Sequence, residues 1–170
     1  MTGRIAILDL GTNTFHLLLA EEREGQWVVF HKERQAVKLG KGGINRGLIQ
    51  DDALKRAVAS LQLFKTTIDR EGISQVFAFG TSALRSAENG TAVLADIRRQ
   101  TGINVRVITG DEEAEYIYYG VRSALNMDSS PALIVDIGGG SVEFIIGDGD
   151  KIHWKVSLDI GAQRMLEQFH

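Results

Sequence analysis

Two segments of this 170-residue chain carry residue types that could hold phosphate. In the first, Asp9 precedes the turn Gly11-Thr12-Asn13-Thr14; in the second, Asp136 precedes Gly138-Gly139-Gly140-Ser141. Glycine removes the steric bar to close backbone approach, and a tight turn can aim amide N–H groups and hydroxyls at one anion. Taken singly, either turn reads better as the tip of an ordinary hairpin. Repetition favours a ligand. Ala6 to Leu17 and Leu133 to Phe144 superimpose without a gap, matching Asp9 to Asp136, Gly11 to Gly138 and Thr14 to Ser141.

A bare carboxylate beside such a turn would repel phosphate by about 4 kcal/mol at a separation of about 4 Å and intermediate dielectric. A divalent cation between Asp9 and Asp136 resolves that conflict. Strand alternation puts Glu143 on the same side as Ser141, where it reads either as a metal or water ligand or as an exposed strand carboxylate. An oxygen-only set of this kind suits Mg2+, which keeps several waters and needs one or two carboxylates plus phosphate oxygens. Arg85, with Thr81 and Ser82, follows a strand, at the end where open α/β sheets place ligands; it could grip phosphate bidentately or lie in solvent. Asp111, Glu112, Glu113 and Glu115 crowd the first turn of a helix, a place the helix dipole favours for acids whatever the function.

The elements needed to position these groups are legible as alternating patterns. Strands are expected at about Arg4 to Asp9, Thr14 to Glu22 and Gln26 to Lys38, an antiparallel meander. The spacing of Leu54, Val58, Leu61, Leu63, Phe64 and Ile68 predicts a helix from Asp51 to Glu71, stopped by Gly72. A strand at Gln75 to Phe79, helical material from Ser82 to Gln100, a strand at Asn104 to Ile108 and a helix from Asp111 to Leu125 then predict parallel α/β crossovers. The segment Asn126 to Pro131 holds the single proline and divides a first unit, 1–127, from a second, 128–170. The second unit repeats the strand, turn and strand of the first, adds a strand at Lys151 to Leu158 and a helix from about Gly161, and is expected to be the start of a truncated lobe.

Composition narrows the partners. A formal charge of −3 and a pI near 5.8 give no global basic field, so wholesale binding to nucleic acid or an acidic membrane is disfavoured, and a polyanion must be held locally. The absence of cysteine removes thiolate chemistry and fits a reducing compartment, with cytoplasm as the default. Apolar runs are too short to span a membrane, and no leader is expected.

In this order and spacing, Asp9-Leu-Gly-Thr-Asn-Thr-Phe15, Gly80-Thr-Ser-Ala-Leu-Arg85, Ile108-Thr-Gly-Asp-Glu-Glu-Ala114 with Gly120, and Asp136-Ile-Gly-Gly-Gly-Ser-Val-Glu143 resemble the exopolyphosphatase and guanosine pentaphosphate phosphohydrolase family, within the acetate kinase, Hsp70 and actin superfamily. The resemblance implies an actin-like (ribonuclease H-like) α/β lobe with a mixed five-stranded sheet and flanking helices, then the opening of a similar lobe, with a cleft between them. It implies that each glycine-rich turn grips phosphate, that Glu113 is the catalytic base, and that Asp136 and Glu143 position Mg2+ and the attacking water. The activity it implies is release of terminal phosphate from polyphosphate, with guanosine penta- or tetraphosphate as the neighbouring substrate class. A kinase-like ATPase and a non-hydrolytic phosphate or alarmone sensor are the other readings of the same fold, and a homodimer through exposed sheet edges is compatible with it. His16 stands where some members have arginine, and Val142 where threonine is common. Members of the family continue beyond His170, so this piece alone could fold without turning over substrate.

Overall fold

The structure is a computed structural model and describes residues 3–170. β1 (Arg4–Leu10), β2 (Thr14–Arg23) and β3 (Gln26–Ala36) form the expected meander. α1 (Asp51–Arg70) then leads to β4 (Gln75–Gly80), which lies parallel to β1, and β5 (Val105–Val107) joins parallel to β4. The resulting mixed sheet has the order β3-β2-β1-β4-β5. Burial of an apolar stripe on α1, comprising Ala53, Ala57, Val58, Leu61, Phe64 and Ile68, packs that helix on the inward residues Ala6, Leu8 and Leu10 of β1 and Leu17 and Leu19 of β2. Asp51 and Asp52 occupy its first turn, and Gly72, at φ 65, takes the left-handed conformation just beyond its end.

The helical stretch expected from Ser82 to Gln100 is broken in two, α2 (Ser82–Ser86) and α3 (Gly90–Thr101). The break lies at Asn89, whose side chain accepts from Ile49 N at 3.0 Å and donates to Ile49 O at 2.9 Å. That pairing with a neighbouring loop replaces one turn of helix. β3 likewise ends two residues earlier than the apolar run suggested, because Lys38 turns to φ 51 and its N–H bonds Asn13 O at 2.8 Å.

α4 (Gly110–Ala124) begins at a reciprocal capping box in which Thr109 Oγ1 accepts from Glu112 N and Glu112 accepts from Thr109 N. Its apolar face packs on a second, antiparallel sheet made of β6 (Ala132–Ile137), β7 (Val142–Gly147) and β8 (Ile152–Leu158). Ala114, Tyr118 and Ile145 are the buried centre of that contact. The other face of the second sheet, with Leu133, Val135, Ile146 and Trp154, stands open to solvent, and Ile137 is 72% exposed. α5 (Ala162–Phe169) closes the chain. No helix is long and apolar enough to cross a membrane among the described residues.

Candidate active site

The two turns face each other across one cavity of about 370 Å³. It is lined by Asp9, Gly11, Thr12, Asn13, Thr14, Asp136, Gly138, Gly139, Gly140, Ser141 and Glu113, all anticipated from sequence, and also by His16, Thr81, Ser82, Ile137 and Ala162. Both turns close in the same way: Gly11 N donates to Thr14 O at 3.2 Å, and Gly138 N donates to Ser141 O at 3.0 Å. A Cβ on either glycine would lie 2.9 Å from Thr14 O or 3.0 Å from Ser141 O, so each closure needs glycine.

The carbonyls of both tips are taken up from behind. Gly40 N and Lys38 N donate to Thr12 O and Asn13 O at 3.0 and 2.8 Å. At the second tip, Ala162 N, Gln163 N and Gly161 N, at the start of α5, donate to Gly138 O, Gly139 O and Gly140 O at 2.9, 2.7 and 3.3 Å. Because C=O and N–H point in opposite directions across a trans peptide, the amides that follow these carbonyls are held away from the supports. Thr12 Oγ1 and Asn13 Oδ1 are buried without a hydrogen-bond partner, and Thr12 is only 3% exposed. Unsatisfied buried polar atoms are costly, so a partner is expected for each: a phosphate oxygen suits the hydroxyl, and a cation or its water suits the amide oxygen.

Carboxylates concentrate on this cavity. Desolvation by the cleft walls raises the pKa of Asp9; His16, its cross-strand neighbour, opposes that shift and the charge of Asp136 adds to it. Desolvation also pushes Glu113 up to about 7; Arg85 opposes the rise through a hydrogen bond and its charge, and Glu143 and Asp9 add to it. Such a group is half ionised near neutral pH, the range in which a general base both takes and returns a proton.

Two predicted site residues lie behind the wall rather than on it. Arg85 Nη1 donates to Glu113 Oε2 at 2.8 Å and to Ile108 O at 3.2 Å, and the residue lines a neighbouring cavity with Thr109, Gly110, Asp111, Ser157 and Asp159. Glu143, which sequence alone left open as an exposed strand carboxylate, is 1% exposed and accepts from Ser157 Oγ at 2.7 Å. Ser157 was not foreseen. It lies beside Gly110, where a Cβ would come within 2.6 Å of the Ser157 Cβ, so the small residues at 110 and 157 let β8 approach the start of α4.

No group of three or more His, Cys, Asp or Glu side chains is placed to hold a metal among the described residues. The donor set still fits a hard cation that brings its own ligands: the charge of Asp136 lies close enough to disfavour that of Asp9, and Asn13 Oδ1 is unpartnered.

Two matched glycine-rich turns and a carboxylate of raised pKa thus share one cavity of an α/β fold, a site suited to phosphate groups. The Ppx/GppA phosphatase family matches residues 18–170, and the chain belongs to that family. It is similar to the exopolyphosphatase of Cytophaga hutchinsonii, with 44% identity and a TM-score of 0.96 over 98% of this chain and 54% of that one. It is 35% identical to a guanosine-5'-triphosphate,3'-diphosphate pyrophosphatase of Photobacterium profundum over 96% of this chain and 33% of the relative. The ethanolamine utilization protein EutJ of Carboxydothermus hydrogenoformans, at 16% identity and a TM-score of 0.56, shares the fold alone. The chain thus spans between a quarter and a third of the length of the curated relatives, 26% and 33%, and about half of the solved exopolyphosphatase.

Proposed function

We propose that the protein containing this chain is a magnesium-dependent phosphoanhydride hydrolase that releases terminal phosphate from inorganic polyphosphate. The observation that carries the reading is the position of Glu113: a carboxylate with a pKa of about 7, on the wall of a cavity framed by two matched phosphate-type turns. Gly11 to Thr14 and Gly138 to Ser141 bind and orient the end of the phosphate chain through N–H groups and hydroxyls. Glu113 takes the proton of a water whose oxygen attacks the terminal phosphorus; the P–O bond to the next phosphate breaks and its electron pair stays with the shortened chain. Arg85 keeps Glu113 aimed, and Ser157 fixes the buried Glu143 behind it. Asp9 and Asp136 would hold magnesium, which when bound would supply charge neutralisation on the transferred group. Placement in the cytoplasm accords with the lack of cysteine and with such a substrate.

The likeness to a guanosine pyrophosphatase favours guanosine pentaphosphate as a second reading. The test is phosphate release by the full-length protein from long-chain polyphosphate, guanosine pentaphosphate and ATP, with magnesium and with EDTA. Release from polyphosphate that needs magnesium and collapses in Glu113→Gln is the expected result. Preference for the pentaphosphate would move the assignment to the second reading. Binding of all these chains without release would overturn the hydrolase in favour of a sensor.

A further inference from the structure

Arg164, on the first turn of α5, is 8% exposed, yet it reaches across from the second lobe into the first. Its Nε donates to Gly140 O at 2.8 Å, Nη1 to Ile44 O at 3.2 Å, and Nη2 to Ser86 Oγ at 2.8 Å. The remaining partner is Asp159 Oδ1, 3.4 Å from Nη2, which also accepts from Ser82 Oγ at 3.3 Å. Ser82 lines the cavity. A guanidinium stays charged at all accessible pH and presents its donors in a fixed fork, so one buried group here fixes acceptors from three segments at once.

Those segments are the second phosphate-type turn, the loop at Ile44 and the end of α2. The surrounding contacts run in the same direction: Asn45 Nδ2 donates to Arg164 O at 2.9 Å, and Gly42 N to Glu167 Oε1 at 2.6 Å. The loop at 38–40, which supports Thr12 O and Asn13 O, runs directly into the segment gripped by α5. The carbonyls of the two turns are thus held by elements that Arg164 and its helix tie together.

We propose that Arg164 is a positioning residue that sets the register of the second turn against the first and so fixes the width of the phosphate cavity. It acts through Gly140 and touches no substrate. The inference rests on the phosphate-chain reading for its kinetic consequence but not for its geometry. Loss of the fork leaves Gly140 O with only the longer bond from Gly161 N at 3.3 Å, lets the second turn move relative to the first, and separates two sets of donors that must act on one chain.

The experiment compares wild type, Arg164→Met, Arg164→Lys and the milder Ser86→Ala in the full-length protein. Lobe separation is read by electron–electron resonance between spin labels at Gln62→Cys and Lys151→Cys, exposed positions on α1 and in the β7–β8 turn; these 170 residues supply no competing thiol. Kinetics on polyphosphate are measured alongside. For Arg164→Met, a broader and longer distance distribution is expected, with KM raised about tenfold or more, a smaller fall in kcat and the pH limb of Glu113 unmoved. Arg164→Lys, keeping charge but not the fork, falls between, and Ser86→Ala gives a smaller shift in the same sense. Should Arg164→Met fail to fold, Ser86→Ala carries the decision. A distance distribution and KM unchanged from wild type in every variant that folds would overturn the proposal. A wild type that releases no phosphate sinks the hydrolase reading alone, and the distance measurement still decides the latch.

Discussion

At the two hairpin tips the backbone does the same thing with different residues. Thr12 and Asn13 at the first tip correspond to Gly139 and Gly140 at the second, and the positions face one another: a Cβ on Gly139 would stand 3.0 Å from the Asn13 side chain, and one on Gly140 would stand 2.5 Å from Ser82 Oγ and closer still to Thr12 Oγ1. The repeat departs from itself where one copy has to fit against the other. The cross-strand pairs beside the tips differ too: Asp9 lies opposite His16, whereas Asp136 lies opposite Glu143. The first tip also rests on a sheet with a broad core beneath α1 and α3, whereas the second sheet packs only on the small cluster of Ala114, Tyr118 and Ile145. Local turn chemistry is thus shared, while side-chain contacts and the depth of packing are not.

The asymmetry is sharpest at Glu113, which belongs to neither hairpin and has no counterpart in the repeat. Glu113→Gln is expected to lower phosphate release by about 10²–10⁴-fold. Wild-type kcat/KM should rise with pH through about 7 as the base ionises, and the variant should lack that limb. The stability effect has the opposite sense. With its folded pKa raised from 4.5, Glu113 binds its proton more tightly in the folded state, so stability falls as pH climbs from about 4.5 to about 7 and then levels. A pH–rate profile of the variant that keeps the wild-type limb would remove Glu113 from the role of base.

Packing depth predicts the next largest effects. Leu8→Ala, in the closed core, should cost about 2–5 kcal/mol and lower the global unfolding midpoint, because the surrounding sheet and α1 cannot collapse into the void. Ile145→Ala should cost less and act locally, since the buried cluster it shares with Ala114 and Tyr118 is far smaller. Native-state hydrogen exchange distinguishes the two: faster exchange confined to β6, β7 and β8 is expected for Ile145→Ala. Uniform loss of protection in both variants would show that the lobes unfold as one unit.

The fit between the tips can be broken and restored. Gly140→Thr drives a side chain into Thr12 and Ser82, while Thr12→Gly opens part of the space it needs. In a double-mutant cycle read by polyphosphate affinity, the two changes should couple by about 1–3 kcal/mol, with Thr12→Gly recovering part of what Gly140→Thr loses. Additive effects would mean that the tips do not touch in solution.

Much of this arrangement was legible beforehand, and the gaps have physical causes. The repeat disclosed both turns and the acidic residues beside them, because turn closure depends on local residues such as Gly11 and Gly138. Apolar patterning disclosed the strands β1 to β5 and the helix α1. Neither signal reaches tertiary partners. Ser157, the hydrogen-bond partner of the buried Glu143, lies fourteen positions away, and the pairing of Arg85 with Glu113 joins α2 to α4. Arg164 gave no sequence signal at all, since an arginine on a short amphipathic helix reads as a solvated charge. The split of α2 from α3 followed from the side chain of Asn89 meeting Ile49, again a contact between segments.

The weakest test probes how the second sheet stays folded with one face uncovered. Tyr118 is buried on α4, and its hydroxyl donates to Asp148 O at 2.8 Å in the β7–β8 turn. That turn is already braced by Asp148, whose Oδ1 accepts from Asp150 N and Lys151 N and whose Oδ2 meets His153; these bonds hold its carboxyl down at about 2. Tyr118→Phe keeps the ring against Ile145 and Gly147 and removes one hydrogen bond, leaving the Asp148 carbonyl without that donor. A loss of about 1 kcal/mol is expected. If α4 serves the second sheet, the loss should appear as faster exchange in β7 and β8 with β1 to β5 unchanged. The same loss spread over β1 and β4 would instead place α4 in a single cooperative unit with the first sheet, and would erase the contrast in packing drawn between the two hairpins.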